Sequence, residues 1–335
     1  MILITGATGH LGNVLTRKLI ERGEKVRIIV QPKDDLSSLQ LLPIEIYYSD
    51  ITEDFSKAFK DVVCIFHLAS LISIVPGRSK LVYKTNVDGT KNVIKFAKEF
   101  KIPLIYTSSV HAFSEITRGS TINEKVPIDE EKVIGDYAKS KAIATKEVMK
   151  AFKNGLDGFI IFPTGIFGPY DFKLSAFSKV LLKYKMQKLK LAVKGSFDFV
   201  DVRDVAKTLV SLYNLLKEKP HVVNHENFIV SGHTIYFENL PLLCGMNTYK
   251  TLEQSSAKFI SYLCLMLNKL FFIPTEFVPY AIHTITLNYK FSHEKLSGVM
   301  NYNPIQSQKT INDFFEWYNS YIFNNNFTFQ NKNHQ

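Results

Sequence analysis

The opening dozen residues, Met1 to Gly12 (MILITGATGHLG), limit the possible folds more than any other stretch. Ile2, Leu3 and Ile4 are apolar and largely β-favouring, the pattern of a strand buried on both faces. Gly6, Gly9 and Gly12 follow, and Leu11, Val14, Leu15 and Leu19 then recur at helical spacing. Strand, glycine turn and helix together make a phosphate-binding loop. Gly6 permits the tight turn, Gly9 lets the backbone approach a pyrophosphate, and Gly12 lets the helix pack closely on the strand. The helix N-terminus then presents free N–H groups and a partial positive charge. The Gly-x-x-Gly-x-x-Gly spacing departs from the commonest two-then-three fingerprint, and three glycines alone also suit a βα turn with no ligand. Their place at the end of a buried strand favours the phosphate reading.

A chain of 335 residues with 46% hydrophobic and 21% charged residues can bury a large core as one large or two modest domains. The formal charge of +10 comes from scattered lysines with no long basic block, so it reads as a solvated surface and predicts no nucleic-acid partner. Cys64, Cys244 and Cys264 lie far apart in apolar sequence, without metal-ligand spacing, and predict buried thiols in a reducing compartment and no metal. Met1 leads straight into the first strand, which predicts no signal peptide and a cytoplasmic protein. No apolar run reaches the roughly 20 residues of a spanning helix; the nearest approach, Phe259 to Ile273, is interrupted by Asn268 and Lys269.

The first half alternates apolar strands, at Val26–Val30, Ile44–Ser49, Val63–Leu68, Leu104–Thr107 and Phe159–Phe162, with helical patterns, notably Leu81–Phe100 and Tyr137–Phe152. Repeated βα units predict a doubly wound parallel sheet, with ligands beyond the carboxyl ends of its strands. The second strand ends at Gln31, where an acid would hold the ribose hydroxyl of NAD. Gln31 is neutral and Lys33 basic, so NADP(H) is favoured over NAD(H). Asp50 meets either an adenine edge or, as a cap, the next helical segment. His67, at a buried strand end, reads as structural. Thr107-Ser108-Ser109 is uninformative alone. Tyr137 and Lys141 share a helix face, where an ammonium would favour the phenolate, although such a pair also arises by chance.

Taken together these signals form an ordered series: Thr5-Gly6-x-x-Gly9-x-x-Gly12, Asp50, His67-Leu68-Ala69, Asn86-Val87-x-Gly89-Thr90, Thr107-Ser108-Ser109, Tyr137-x-x-x-Lys141, Pro163-Thr164-Gly165-Ile166-Phe167-Gly168-Pro169 and Val200-x-Val202-x-Asp204-Val205-Ala206. The chain resembles an extended short-chain dehydrogenase/reductase of the NAD-dependent epimerase/dehydratase superfamily, as far as about Tyr318. Within it, Ile134-Gly135-Asp136-Tyr137 and Gly168-Pro169-x-Asp171 resemble the branch of dihydroflavonol 4-reductase-like, 3β-hydroxysteroid dehydrogenase-like and hopanoid-associated sugar epimerase proteins. The resemblance implies a Rossmann domain over 1–173. It also implies a smaller, mostly helical substrate region over 174–323, interleaved with the last sheet elements, and a homodimer. Residues 324–335 read as a flexible polar tail.

The resemblance also implies roles. Gly6, Gly9 and Gly12 would bind the pyrophosphate, with Thr5, Thr8, His10 and Leu11 beside them. Gln31, Asp50 and Ile51 would surround the adenosine. Leu68, Ala69 and Ser70 would line the ribose and nicotinamide path, with Asn86 and Thr107 among the cofactor contacts. The backbone at Pro163 and Thr164 would meet the carboxamide. Tyr137 would be the acid–base group, Lys141 would hold the ribose and lower the tyrosine pKa, and Ser109, rather than Ser108, would orient the substrate oxygen. Ser109-Val110-His111 lacks the acids of the sugar-nucleotide dehydratases. Phe197 stands where epimerases often carry a diphosphate-gripping arginine, which points to an apolar or uncharged small-molecule substrate. The expected activity is NAD(P)(H)-dependent interconversion of a carbonyl and an alcohol; the alternative is an epimerase of a sugar or sugar nucleotide. Phe259–Tyr289, with Tyr262, Leu265, Met266, Leu270, Phe271, Phe272, Phe277 and Tyr280, reads as domain core or a dimer contact in preference to a lid touching a membrane.

Overall fold

Contiguous apolar runs give strands that can be covered on both faces, and here they build one parallel sheet. The computed structural model describes residues 1–72, 79–271 and 278–332, excepting the side chains of 267–271 and 324–332. Strand β1 (Ile2–Thr5) leads through the glycine turn into α1 (His10–Glu21), followed by β2 (Val26–Val30), β3 (Ile44–Tyr48) and β4 (Cys64–His67). Next come α2 (Ser79–Tyr83), a π-helical turn at Lys84–Asp88, α3 (Gly89–Glu99), β5 (Leu104–Thr107), the short β6 (Thr121–Ile122) and α4 (Asp136–Lys153). After β7 (Gly158–Pro163) and β8 (Gly165–Phe167) the chain forms α5 (Ala176–Lys185), β9 (Leu191–Val193), β10 (Ser196–Asp201), α6 (Val202–Glu218), α7 (Pro220–Val223), β11 (Asn227–Val230) and β12 (His233–Tyr236). It ends with α8 (Leu240–Leu243), β13 (Lys250–Leu252), α9 (Gln254–Phe271), α10 (Pro279–Thr286), β14 (Lys290–Phe291), α11 (Glu294–Val299) and α12 (Ser307–Lys332).

The main sheet has seven strands in the order β11-β7-β5-β4-β1-β2-β3, all parallel. The strand order reverses between β1 and β4, so a crevice opens beyond Thr5 and His67, which are register partners. Alternation decides which helices cover which face. Ile2, Ile4, Ile28 and Phe66 pack with α1 and α6, whereas Leu3, Ile29, Ile65 and Tyr106 pack with α3 and α4. Ile2, Leu3 and Ile4 are 0% exposed, and burying each contributes about 2 kcal/mol.

The expected strands at Val26–Val30 and Leu104–Thr107 hold to their bounds, and the others shift by a residue or so. The expected helix Leu81–Phe100 is interrupted by the π-turn at Lys84–Asp88. The back half adds a three-stranded sheet β12-β10-β8 and the pairs β13-β9 and β14-β6, while β11 returns to the edge of the main sheet. On α9 the structure corrects the domain-core reading for four residues. Phe259, Tyr262, Leu263 and Met266 are 72%, 55%, 42% and 51% exposed, whereas Ala257 and Ser261 are buried. Residues 272–277 of the same expectation lie outside the described residues. The residues from Asn324 continue the backbone of α12 to Lys332, and 333–335 lie outside the described residues. Among the described residues no helix is long and apolar enough to cross a membrane.

Candidate active site

The glycine turn is closed by protein at two glycines and open at the third. A Cβ on Gly6, whose φ is +79°, would fall 2.6 Å from Ala69 N, and one on Gly12 would fall 2.1 Å from Gly6 O. A Cβ on Gly9 would meet only Gly6 O, at 3.2 Å. Helix α1 has neither a capping side chain nor an acid in its first turn. Its first N–H groups therefore have no capping side chain to satisfy them, the condition for receiving a phosphate.

Thr5 and His67 belong to a directional hydrogen-bond chain. Ala69 N–H donates to Thr5 Oγ1 (3.2 Å), Thr5 Oγ1 donates to His67 Nδ1 (2.7 Å), His67 Nε2–H donates to Thr90 Oγ1 (2.9 Å), and Thr90 donates to Asn86 O (2.7 Å). Burial pushes the imidazole down to about 3, so it is neutral, and the chain fixes its proton on Nε2. His67 is structural, as expected, and the Thr5 hydroxyl is used up by protein. So is the Asn86 side chain: Oδ1 accepts from Leu71 N–H (2.7 Å) and Ser70 Oγ (3.2 Å), and Nδ2 donates to Leu71 O (3.1 Å) and Ser140 Oγ (2.9 Å). With every donor and acceptor engaged, the amide of Asn86 has none left for a cofactor, and its part is to tie the Leu68–Leu71 segment to α4.

At the adenosine end both readings of Asp50 meet protein. Its Oδ1 accepts from Thr52 N–H (2.9 Å) and Thr52 Oγ1 (2.8 Å), and its Oδ2 accepts from Gln31 Nε2 (2.6 Å). Ile51 packs its side chain over Gly89, where any Cβ would meet Ile51 Cδ1 at 2.6 Å. Thr164 N–H is taken by Val230 O (3.1 Å). Pro163 lies beside it at the end of β7.

Helix α4 brings Tyr137 and Lys141 to the end of β5, beside Ser109. The Ser109 side chain accepts from His111 N–H (3.3 Å) and caps a 3-10 turn. Ser108 turns to Thr145 instead (2.6 Å), which leaves Ser109 as the serine at the site. Burial pushes the Tyr137 phenol up to about 12, against hydrogen bonding from the Ser109 and Ser70 hydroxyls. This corrects the expected direction: burial of the phenol sets it, and Lys141, itself buried, has its ammonium pushed down to about 7. Its Nζ donates to Thr107 O (3.0 Å) and lies 5.2 Å over the Tyr106 ring. Thr107 Oγ1 is buried with no partner, a polar atom at the strand end that a bound dinucleotide would satisfy. Together with open Gly9, it makes this crevice a fit for that cofactor. Among the described residues no cluster of His, Cys, Asp or Glu could hold a metal ion.

Opposite stands a wall of which sequence reasoning found Phe197 but not its neighbours His111 and Tyr280. His111 Nδ1 meets the Tyr280 hydroxyl at 3.2 Å, and the His111 ring stacks on Phe197 (5.5 Å) and stands edge-on to Tyr137 (6.0 Å). Burial pushes His111 down to about 4, so it is neutral. His111, Phe197 and Tyr280, with Val133, Phe291 and the pair His283–Glu115 (2.9 Å), line a mostly apolar cleft. No sequence pattern links α10 to α4, so only the fold could reveal Tyr280. Arg203 is no substitute for the arginine absent at Phe197: it pairs with Asp201 (2.6 Å) and Asp313 (2.7 Å).

Comparison with known proteins places most of the chain in one family. Residues 3–251 match the model of the 3-beta hydroxysteroid dehydrogenase/isomerase family. The chain is 31% identical over 242 residues to sterol demethylase protein B of Methylococcus capsulatus, covering 71% of this chain and 74% of that protein. It is 27% identical over 327 residues to the decarboxylating sterol-4-alpha-carboxylate 3-dehydrogenase of Schizosaccharomyces pombe, covering 91% and 93%. The crystal structure of gox2253 superposes with a TM-score of 0.80 at 28% identity, covering 96% of this chain and 98% of that one.

Proposed function

The chain belongs to the 3-beta hydroxysteroid dehydrogenase/isomerase family, and from that premise we propose that it interconverts an alcohol and a ketone on a small, largely apolar substrate, with NADP(H) favoured over NAD(H). The observation that carries this reading is the Tyr137 phenol beside the Ser109 and Ser70 hydroxyls, edge-on to His111 of the aromatic cleft and one helical turn from Lys141. Bound at the glycine turn, the nicotinamide dinucleotide supplies or accepts the hydride. Tyr137 gives a proton to the carbonyl oxygen in reduction and takes it back in oxidation, Ser109 donates a hydrogen bond to that oxygen, and Lys141 lies where it can hold the ribose. A phenol held protonated at neutral pH is ready to give its proton, which favours reduction; alcohol oxidation needs the phenolate and should quicken as pH rises. Both sterol-named relatives fit an apolar, ring-shaped substrate.

The test is Tyr137→Phe in an assay with apolar ketones. Turnover should fall about 10³-fold while nucleotide affinity stays nearly unchanged, and full activity in the variant would overturn the mechanism. The alternative, an epimerase that retains NAD, predicts nucleotide that co-purifies and no net coenzyme consumption. The Phe197 stack offers a sugar diphosphate no cation, which weighs against it.

A further inference from the structure

The segment that follows β8, Gly168 to Ser175, crosses back over the glycine turn. Gly168, Tyr170 and Leu174 adopt φ of +130°, +69° and +48°, and a left-handed non-glycine residue costs on the order of 1 kcal/mol unless its surroundings hold it. Here they do. Buried Asp171 accepts from Ser175 N–H (2.8 Å) and Ser178 Oγ (2.7 Å). Three contacts then tie the strap to the first βα unit. His10, neutral because burial lowers its pKa, donates Nε2–H to Pro169 O (2.9 Å). The Arg17 guanidinium lies 5.9 Å from the centre of the Tyr170 ring. Lys173 Nζ donates to Thr8 Oγ1 at 3.2 Å.

The last contact is the informative one. Thr8 lies between Gly6 and Gly9, against the open side of the turn. Among the described residues Lys173 has no carboxylate within ion-pairing distance. Asp35, in the loop after β2, is held low mainly by Ser37, and the charge of Lys173 adds to that. A strained, well-anchored strap therefore sets an unpaired ammonium between the glycine turn and the loop that follows the second strand. A compact point charge of this kind suits a phosphate. We propose that Lys173 is a phosphate-binding residue of the dinucleotide site, brought in by the Gly168–Ser175 strap; this rests on the nucleotide reading above.

The experiment is a nicotinamide-fluorescence titration of the full chain with NADPH and with NADH, for the unaltered protein, Lys173→Met and Lys173→Arg. Lys173→Met should weaken binding about tenfold, with most of the loss restored by arginine and the melting temperature unchanged. Loss for NADPH alone assigns the ribose 2′-phosphate as the partner, and equal loss for both assigns the pyrophosphate. Unchanged affinity for both overturns the inference. An unaltered protein that binds neither nucleotide overturns the underlying reading, which keeps the two failures distinct.

Discussion

The two walls that meet at Tyr137 are built on opposite terms. On the sheet side many polar side chains have fixed partners: Thr5, His67, Thr90, Asn86 and Ser140 form one directional mesh, and beside it Ser108 donates to Thr145, which donates to Lys141 O. On the cover side Phe177, Phe197, Phe199, Phe237 and Phe291 pack against one another, one pair stacked and the rest edge-on or tilted, with ring centroids 4.0 to 6.1 Å apart. Hydrogen bonds are short-ranged and directional, whereas apolar contact is proportional to area and tolerates repacking. On the proposed function the difference teaches a division of labour: the sheet side would fix where the reacting groups stand, and the cover side would decide what they meet.

Three variants would break or sharpen that contrast. The largest effect is expected at Asn86→Ala, which strands the backbone N–H and C=O of Leu71 and removes the tie to Ser140. It should cost about 3 kcal/mol of stability and lower kcat as α4 loses its tie, measured by denaturant unfolding and steady-state kinetics. A loss under half that size with normal kcat would show the mesh to be ornamental.

Asp198 tests the cover. It is 4% exposed on β10, accepts from Gly232 N–H (2.8 Å), and is pushed by burial up to about 6 from 3.8. The folded state therefore holds the proton more tightly than the unfolded one. Stability should fall as pH rises from about 4 to about 6 and stay low above that. Asp198→Asn keeps the acceptor without the charge, so it should raise stability by about 2 kcal/mol at pH 8 and by little at pH 4. Melting curves at the two pH values decide it, and equal shifts at both would discard the buried-charge explanation.

The smallest effect belongs to Phe197→Leu, which swaps one apolar wall for another. It should cost about 1 kcal/mol and change KM for bulky ketones severalfold while kcat holds within about twofold. A collapse of kcat would mean that the stack on His111 also places Tyr137, and the division of labour would have to be redrawn.

The same contrast governs what could be read from the sequence. The strands Val26–Val30 and Leu104–Thr107 were legible to the residue because fully buried parallel strands need unbroken apolar runs. The ordered series of motifs carried the family as well. The π-turn at Lys84–Asp88 was not legible, because it is stabilised by Asn86 reaching Ser70, Leu71 and Ser140, none of them local. Nor was the direction of the Tyr137 shift: spacing puts a lysine one turn from the phenol, but burial raises the phenol against the Ser109 and Ser70 hydroxyls and lowers the ammonium too. Lys173 escaped notice because only the fold carries the Gly168-Pro169-x-Asp171 stretch across to Thr8.

Gly135 is the last residue before α4 and sits at φ +91°, with the Tyr280 ring where its side chain would be: a Cβ there would lie 2.7 Å from Tyr280 Cε2. The Tyr280 ring thus fills the notch that glycine leaves, and the cleft wall touches the first turn of the helix that carries Tyr137. A side chain at position 135 would meet both a left-handed backbone and the ring, so it would push Tyr280 away from His111. The spacing between the aromatic wall and α4 is therefore set by the single hydrogen atom that glycine has in place of a side chain.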